Sequence, residues 1–144
     1  MNAATKSPRC DVQDSSEQRL SNARRFEDLW IWKQARVLVK SVYQDFGDST
    51  PAGRDFGYRR QIQEAAVSIM NNIAEGFERR TQREFVRFLD VAKASCGEVR
   101  SMYYTAEDLN YVNEATASGR RESCRRIAAG IGSLQTYLRR TFDS

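Results

Sequence analysis

The sequence predicts an all-α fold, an antiparallel up-down-up-down bundle of four helices. Apolar residues recur at the spacing of an amphipathic helix in four segments after residue 25, and strand-like alternation is absent. Three short breaks separate these segments: residues 47–53, the pair Arg80-Thr81, and about 110–119. Helices joined by such short connections pack beside their neighbours in the chain, as they do in an up-down bundle.

The chain divides into a predicted flexible polar tail, residues 1–25, and a bundle domain, residues 26–144. The tail carries serines and scattered charges, with only Val12 and Leu20 as larger apolar side chains. Such a segment cannot bury enough apolar surface to offset the entropy lost on ordering. A length of 144 residues suits a single domain.

The first two helices are predicted over about residues 27–46 and 57–79. Each carries its apolar residues on one face, which predicts that this face is buried. The predicted core positions are Ile31, Trp32, Ala35, Leu38, Val39, Val42, Tyr43, Phe46, Ile62, Ala66, Ile69, Ile73 and Phe77.

The last two helices are predicted over about residues 81–109 and 117–142. Thr81 followed by Glu84 is a capping box, so the third helix is predicted to begin at Thr81. The predicted core positions are Phe85, Phe88, Ala92, Ser95, Val99, Tyr103, Ala106, Cys124, Ile127, Ile131, Leu134 and Leu138.

The absence of histidine limits the chemistry that this chain can perform. Ser-His-Asp and Cys-His catalytic arrangements need histidine, as do histidine-based zinc, haem and di-iron sites. Glu64 and Glu75 share a helix face but stand about 16 Å apart, too far to act as an acid/base pair. We therefore expect no enzymatic activity, no metal and no cofactor.

The cysteines and the hydropathy pattern bear on location. Cys10, Cys96 and Cys124 are odd in number and form no CxxC motif, so they are predicted to be free thiols in a reducing compartment. The first 25 residues lack the apolar stretch of a secretory signal, and no apolar run suits a membrane span. We expect a cytoplasmic protein without a membrane partner.

Positive charge in this chain is mostly arginine: 23 Lys+Arg face 19 Asp+Glu, and lysine occurs only at positions 6, 33, 40 and 93. Arginine binds phosphate with a planar fork of donors, which favours nucleic acid as a partner. Salt-bridged helix faces explain such a composition equally well. The predicted nucleic-acid contacts at the ends of the bundle are Arg79, Arg80, Arg83, Arg87, Arg120, Arg121, Arg139 and Arg140, with Arg24 and Arg25 beside the first group.

Four of these arginines complement the helix dipole in any case, because Arg79, Arg80, Arg139 and Arg140 fall in a predicted last turn. Arg83, Arg87, Arg120 and Arg121 gain nothing of that kind, so they are the more informative members of the set. They fall at two different ends of the bundle.

An apolar stripe outside the predicted core suggests a contact surface. Trp30 and Val37 fall opposite the core face of the first helix, and Val86 and Tyr104 lie on one side of the third. Interfaces favour exposed aromatic and apolar residues, so these four positions are the predicted oligomer interface. The alternative for Trp30 is that it lies over the rim of its own domain.

A family resemblance rests on three stretches. They are Ser68-Ile69-Met70-Asn71-Asn72-Ile73-Ala74-Glu75-Gly76-Phe77, then Glu84-Phe85-Val86-Arg87-Phe88-Leu89, and the opening Phe26-Glu27-Asp28-Leu29-Trp30-Ile31-Trp32-Lys33-Gln34-Ala35. Together they resemble the bacterial four helix bundle protein family, which includes proteins encoded in intervening sequences of 23S rRNA genes. Accessory variability proteins of diversity-generating retroelements are related to it. Met70 stands where family members commonly carry proline.

The resemblance implies a left-handed bundle that assembles as a homopentamer around a central channel. It also implies a role linked to nucleic acid, either as an RNA-associated protein or as the partner of a reverse transcriptase, and no enzymatic activity. With the arginine pattern it predicts an oligomer that binds RNA or DNA through its bundle ends. The alternative is a protein-interaction scaffold without nucleic-acid affinity of its own.

Overall fold

The computed structural model describes residues 23–142, which form four α-helices. They are α1 (Trp30–Asp45), α2 (Phe56–Phe77), α3 (Gln82–Asp108) and α4 (Glu114–Arg140), and a 3-10 turn, Phe26–Asp28, precedes α1. No strand occurs in this part of the chain. The predicted all-α, four-helix fold is confirmed, whereas the predicted tail lies outside the described residues except for its last three.

The helices pack around one core. Each helix contacts the next along the chain, and α4 also packs on α1. The predicted core faces are buried in all four helices, except that Tyr43 is exposed and that Trp32, Val39, Phe77 and Phe88 are only half-buried. Up-down order and left-handedness stay predictions.

Side-chain caps fix where three of the helices begin. Thr81 Oγ1 accepts the backbone N–H of Glu84 at 3.1 Å, which confirms the predicted start of α3. Asp55 caps α2 and Asn113 caps α4, each accepting a backbone N–H three residues on. The predicted start of the last helix at Ala117 is therefore wrong, and the helix begins at Glu114. The reason is that the polar cap, Asn113, lies within the predicted break and precedes the first large apolar residue of the helix.

The first helix also begins later than its periodicity predicts. Leu29 is extended, with φ −74° and ψ 127°, and it separates the 3-10 turn from α1. At the other end of α1, Arg59 holds the connection to α2: its guanidinium donates to the carbonyls of Phe46 at 2.7 Å and Gly53 at 2.8 Å. A fixed loop brings α1 and α2 together as neighbours.

Two cysteines are buried as free thiols between α3 and α4. Burial raises the pKa of Cys96 and of Cys124 to about 12, and proximity to the other thiol adds to the shift at Cys96. A thiol that stays protonated and buried is a poor nucleophile. Cys10 lies outside the described residues.

We expect both buried thiols to resist alkylation while the protein is folded. In a Cys10→Ser variant treated with iodoacetamide at pH 8, mass spectrometry should show no adduct on the native chain. In denaturant, where burial no longer raises the pKa, the same variant should take two adducts. Rapid labelling of the native chain would contradict the burial of these thiols.

Candidate nucleic-acid interface

One end of the bundle collects most of the predicted arginines. The chain turns from α2 into α3 there, and α4 finishes beside that turn, since Arg83 lies with its guanidinium 4.9 Å from the ring of Phe142. Phe26 lies against the last turn of α2, in a shallow groove that it lines with Ala74, Glu75, Glu78 and Arg79. We call Arg79, Arg80, Arg83, Arg87, Arg139 and Arg140 the arginine end; all six are exposed.

Aromatic rings hold two of these arginines in place. The guanidinium of Arg79 lies 4.6 Å from the centre of the Phe88 ring, and Arg83 stacks on Phe142 as described. Both rings are half-buried and packed against the bundle. A cation on an aromatic face keeps its N–H donors directed outward, so a ligand need not order these long side chains.

Several guanidinium groups of the arginine end have no acidic partner. Within residues 23–142, Arg79, Arg80, Arg87 and Arg139 form no ion pair. Glu75, Glu78 and Glu84 also lie at this end and reduce its net charge. Unpaired exposed arginines keep their full donor capacity, which suits a phosphate-rich partner.

Arg24 and Arg25, predicted beside this group, differ in how they contact the 3-10 turn. The guanidinium of Arg25 is used locally, since its Nε lies 3.3 Å from Asp28 and 3.5 Å from Glu27. Arg24 contributes its backbone N–H, which donates to Asp28 and lowers the pKa of that carboxyl. The exposed side chain of Arg24 forms no ion pair within residues 23–142.

Arg120 and Arg121 occupy the opposite end of the bundle, and both have intramolecular partners. Arg120 donates two hydrogen bonds to Asp45, from Nε at 2.8 Å and Nη2 at 3.1 Å. Arg121 lies 3.4 Å from Glu107 and stacks 4.1 Å from the ring centre of Tyr104. The reasoning that these two need an external ligand is therefore corrected, because packing between helices accounts for both.

The predicted oligomer interface divides in two. Val37 is 59% exposed and Tyr104 is 51% exposed, as a contact surface requires. Val86 is only 6% exposed within its own chain, so its assignment to the interface is wrong: it belongs to the core beside α4. Trp30 is half-buried, and its ring packs against Gly130 of α4 with Arg126 6.0 Å from its centre. These contacts agree with the alternative, a side chain on the rim of its own domain, and a role of Trp30 in an oligomer interface stays a prediction.

The motif Asn72-Ile73-Ala74-Glu75-Gly76 lies in α2 and serves two surfaces. Ile73 and Gly76 are buried, and a Cβ at Gly76 would stand 2.7 Å from Phe88 Cβ, so this glycine permits the close approach of α2 and α3. Glu75 is exposed and Ala74 half-buried, both beside the arginine end. Helix α2 runs unbroken through Met70.

Asn72 opens onto a second groove. Its amide nitrogen donates to the carbonyl of Ser68 at 2.8 Å and to its hydroxyl at 3.0 Å, and Ser68 Oγ lies 2.9 Å from Ser95 Oγ of α3. Ser68 and Asn72 line an open groove of about 510 Å³ on the surface of α1 and α2, together with Tyr43, Arg60, Gln63, Glu64, Val67 and Asn71.

A basic face on α1 is the feature that the sequence reasoning missed. Lys33, Arg36 and Lys40 are exposed along α1 and form no ion pair within the described residues. The signal was present in the sequence, since these cations recur at steps of three and four and no acidic residue stands between Asp28 and Asp45. The face runs from the arginine end toward Tyr43.

Within residues 23–142, no group of three histidine, cysteine, aspartate or glutamate side chains is placed to hold a metal ion. No helix in that range is both long and apolar enough to cross a membrane.

The fold places the chain in the class of four-helix bundle proteins, and six exposed arginines lie at one end of the bundle. A family model, described as 23S rRNA-intervening sequence protein, matches residues 27–133. The chain belongs to this family, which confirms the resemblance read from the sequence. No curated protein matches the chain.

Proposed function

We propose that the protein is a non-enzymatic, self-associating bundle that binds RNA or DNA through the arginine end. The observation that carries the proposal is the exposure of four guanidinium groups without an ion pair within residues 23–142, those of Arg79, Arg80, Arg87 and Arg139. Membership of a family described by an rRNA intervening sequence is consistent with a nucleic-acid partner. The homopentamer and the cytoplasmic location stay predictions.

The chemistry expected of this surface is phosphate binding. Each arginine that neutralises a phosphate releases condensed counterions, so the affinity falls as salt rises, with a slope in log–log form of about −0.9 per contact on a duplex. Contacts to phosphate position a protein on nucleic acid without reading its sequence. We therefore expect binding that depends strongly on salt and weakly on sequence.

A salt series tests the proposal directly. Fluorescence anisotropy with a labelled RNA duplex between 50 and 200 mM salt should give log affinity falling linearly with log salt. The double variant Arg80→Gln/Arg87→Gln should bind less tightly, and its slope should be shallower by about 2, because two phosphate contacts are lost.

Arg125→Gln is the matched control. Arg125 is equally exposed but lies in the middle of α4, where it pairs with Glu122 at 2.6 Å. Its removal should leave both affinity and slope unchanged. Equal losses in the control and in the double variant, or an affinity independent of salt, would sink the proposal.

The scaffold alternative is favoured by one observation, the exposure of Val37 and Tyr104 on two different helices. A protein-interaction module, such as a reverse-transcriptase partner, uses surfaces of that kind. The same salt series separates the two functions, because a scaffold without nucleic-acid affinity binds no probe at any salt concentration.

A further inference from the structure

The groove between α1 and α2 is lined by an aromatic ring, by amides and by charged side chains, and the inference drawn from it rests on the proposed function. Tyr43 lines it with a ring that is 49% exposed, although the periodicity of α1 placed this residue in the core. An aromatic side chain half in solvent at the edge of a polar groove offers a flat face on which a base can stack.

The floor of the groove is polar and partly fixed. Asn72 donates from its amide nitrogen to the carbonyl and the hydroxyl oxygen of Ser68, which fixes the side chain and leaves its own carbonyl oxygen as an acceptor. Gln63 and Asn71 line the same groove, and neither forms a hydrogen bond among the described residues. Amides both donate and accept, as the edges of nucleobases require.

Charge leads from the arginine end to this groove. Lys33, Arg36 and Lys40 form an unpaired basic face along α1, and about 15 Å of helix separates Lys33 from Tyr43. The groove itself is lined by one cation, Arg60, and one carboxylate, Glu64, and Arg60 forms no ion pair within the described residues. A strand whose phosphates follow α1 would therefore bring its bases to Tyr43.

We propose that the α1–α2 groove binds an unpaired base of a single-stranded nucleic acid, with Tyr43 as the stacking platform and Asn71 and Asn72 beside the base edge. A duplex keeps its bases stacked and paired, whereas a single strand can splay a base outward. The groove is open to solvent, so an unpaired base can approach Tyr43 without rearrangement of the helices.

The experiment compares Tyr43→Ala with Tyr43→Phe on three probes of equal length: single-stranded RNA, single-stranded DNA and duplex RNA. We expect Tyr43→Ala to weaken binding to at least one single-stranded probe about tenfold, since stacking on an aromatic side chain contributes about 1–3 kcal/mol per base. Tyr43→Phe keeps the ring and should bind as the parent does. Duplex affinity should not change in either variant.

Gln44→Ala is the control for a general effect of α1, because Gln44 is exposed on the same helix and does not line the groove. Circular dichroism establishes that each variant is folded. Single-strand affinity unchanged in Tyr43→Ala, or an equal loss on the duplex, overturns the groove assignment while salt-dependent binding still supports the arginine end. If the parent binds no probe, the proposed function fails as well.

Discussion

Replacing Asp45 by alanine is expected to lower the free energy of unfolding by about 3 kcal/mol, one of the two largest effects anticipated for a single substitution here. Asp45 ends α1, and its side chain is 10% exposed. It accepts a hydrogen bond from the Tyr103 hydroxyl of α3 at 2.7 Å, and two more from Nε and Nη2 of Arg120 in α4. One carboxylate thus joins three helices.

The cost arises from what the substitution leaves behind. Tyr103 is fully buried, and burial together with the Asp45 carboxylate raises the pKa of its phenol, so the hydroxyl remains a donor. Without Asp45 the buried Tyr103 hydroxyl loses its acceptor, and the Arg120 charge, on a side chain that is 31% exposed, loses its partner. Leaving such groups unpaired costs more than the intact pair contributes.

Asp48→Ala is the matched control. Asp48 also pairs with an arginine, Arg59, at 2.8 Å, but its carboxylate is 93% exposed. Exposed ion pairs contribute little, so the midpoint of urea unfolding should barely move. The comparison is made by urea denaturation at pH 7 with unchanged slopes. Equal destabilisation by Asp45→Ala and Asp48→Ala would show that the buried network does not stabilise the fold.

Replacing Gly76 by alanine is expected to destabilise the fold by about 2 kcal/mol, although alanine is the better helix former. The added Cβ would stand 2.7 Å from Phe88 Cβ and 2.8 Å from Phe85 Cδ1. Phe88 Cβ is fixed to the backbone of α3, so relief requires the two helices to separate.

Gly97→Ala should act in the opposite direction. Gly97 lies inside α3, is exposed, and no atom stands within 4 Å of the position a Cβ would take. With space available, the substitution should stabilise the fold by about 0.5–1 kcal/mol through helix propensity alone. Thermal unfolding followed by circular dichroism compares the two variants. A Gly76→Ala protein that melts above the parent would contradict the close α2–α3 contact.

Much of the fold could be read from the sequence because it depends on local patterns. The apolar stripe in α4 is buried as predicted, as is that of α2 apart from the half-buried Phe77, and the Thr81 cap begins α3. The start of α4 was misplaced because the Asn113 cap precedes the apolar stripe. Tyr43 was predicted to lie in the core but is exposed. Helical spacing gives the direction of a side chain around the helix axis, but it does not show how far the neighbouring helices extend around that axis.

The candidate site was predictable only in part. The gathering of Arg79, Arg83 and Arg139 at one end followed from the connections between helices, and the contacts of Phe26 and Phe142 agree with it. Whether an arginine is available to a ligand depends on partners distant in the chain: Asp45 stands 75 positions before Arg120. The spacing of residues along the sequence does not predict a pair this far apart.

The sequence by itself determined four amphipathic helices, an arginine-rich chain without histidine, and membership of an identifiable family, because composition and periodicity are properties of the chain alone. Only the tertiary structure decided which arginines pair with a carboxylate of the same chain and which remain available to a ligand. In the folded protein Arg120 pairs with Asp45, and the ring of Trp30 packs against Gly130. Val86 is buried in the core, whereas Tyr43 lies exposed beside an open groove. The physical reason is that availability depends on neighbours in space, and neighbours are fixed only when the helices pack.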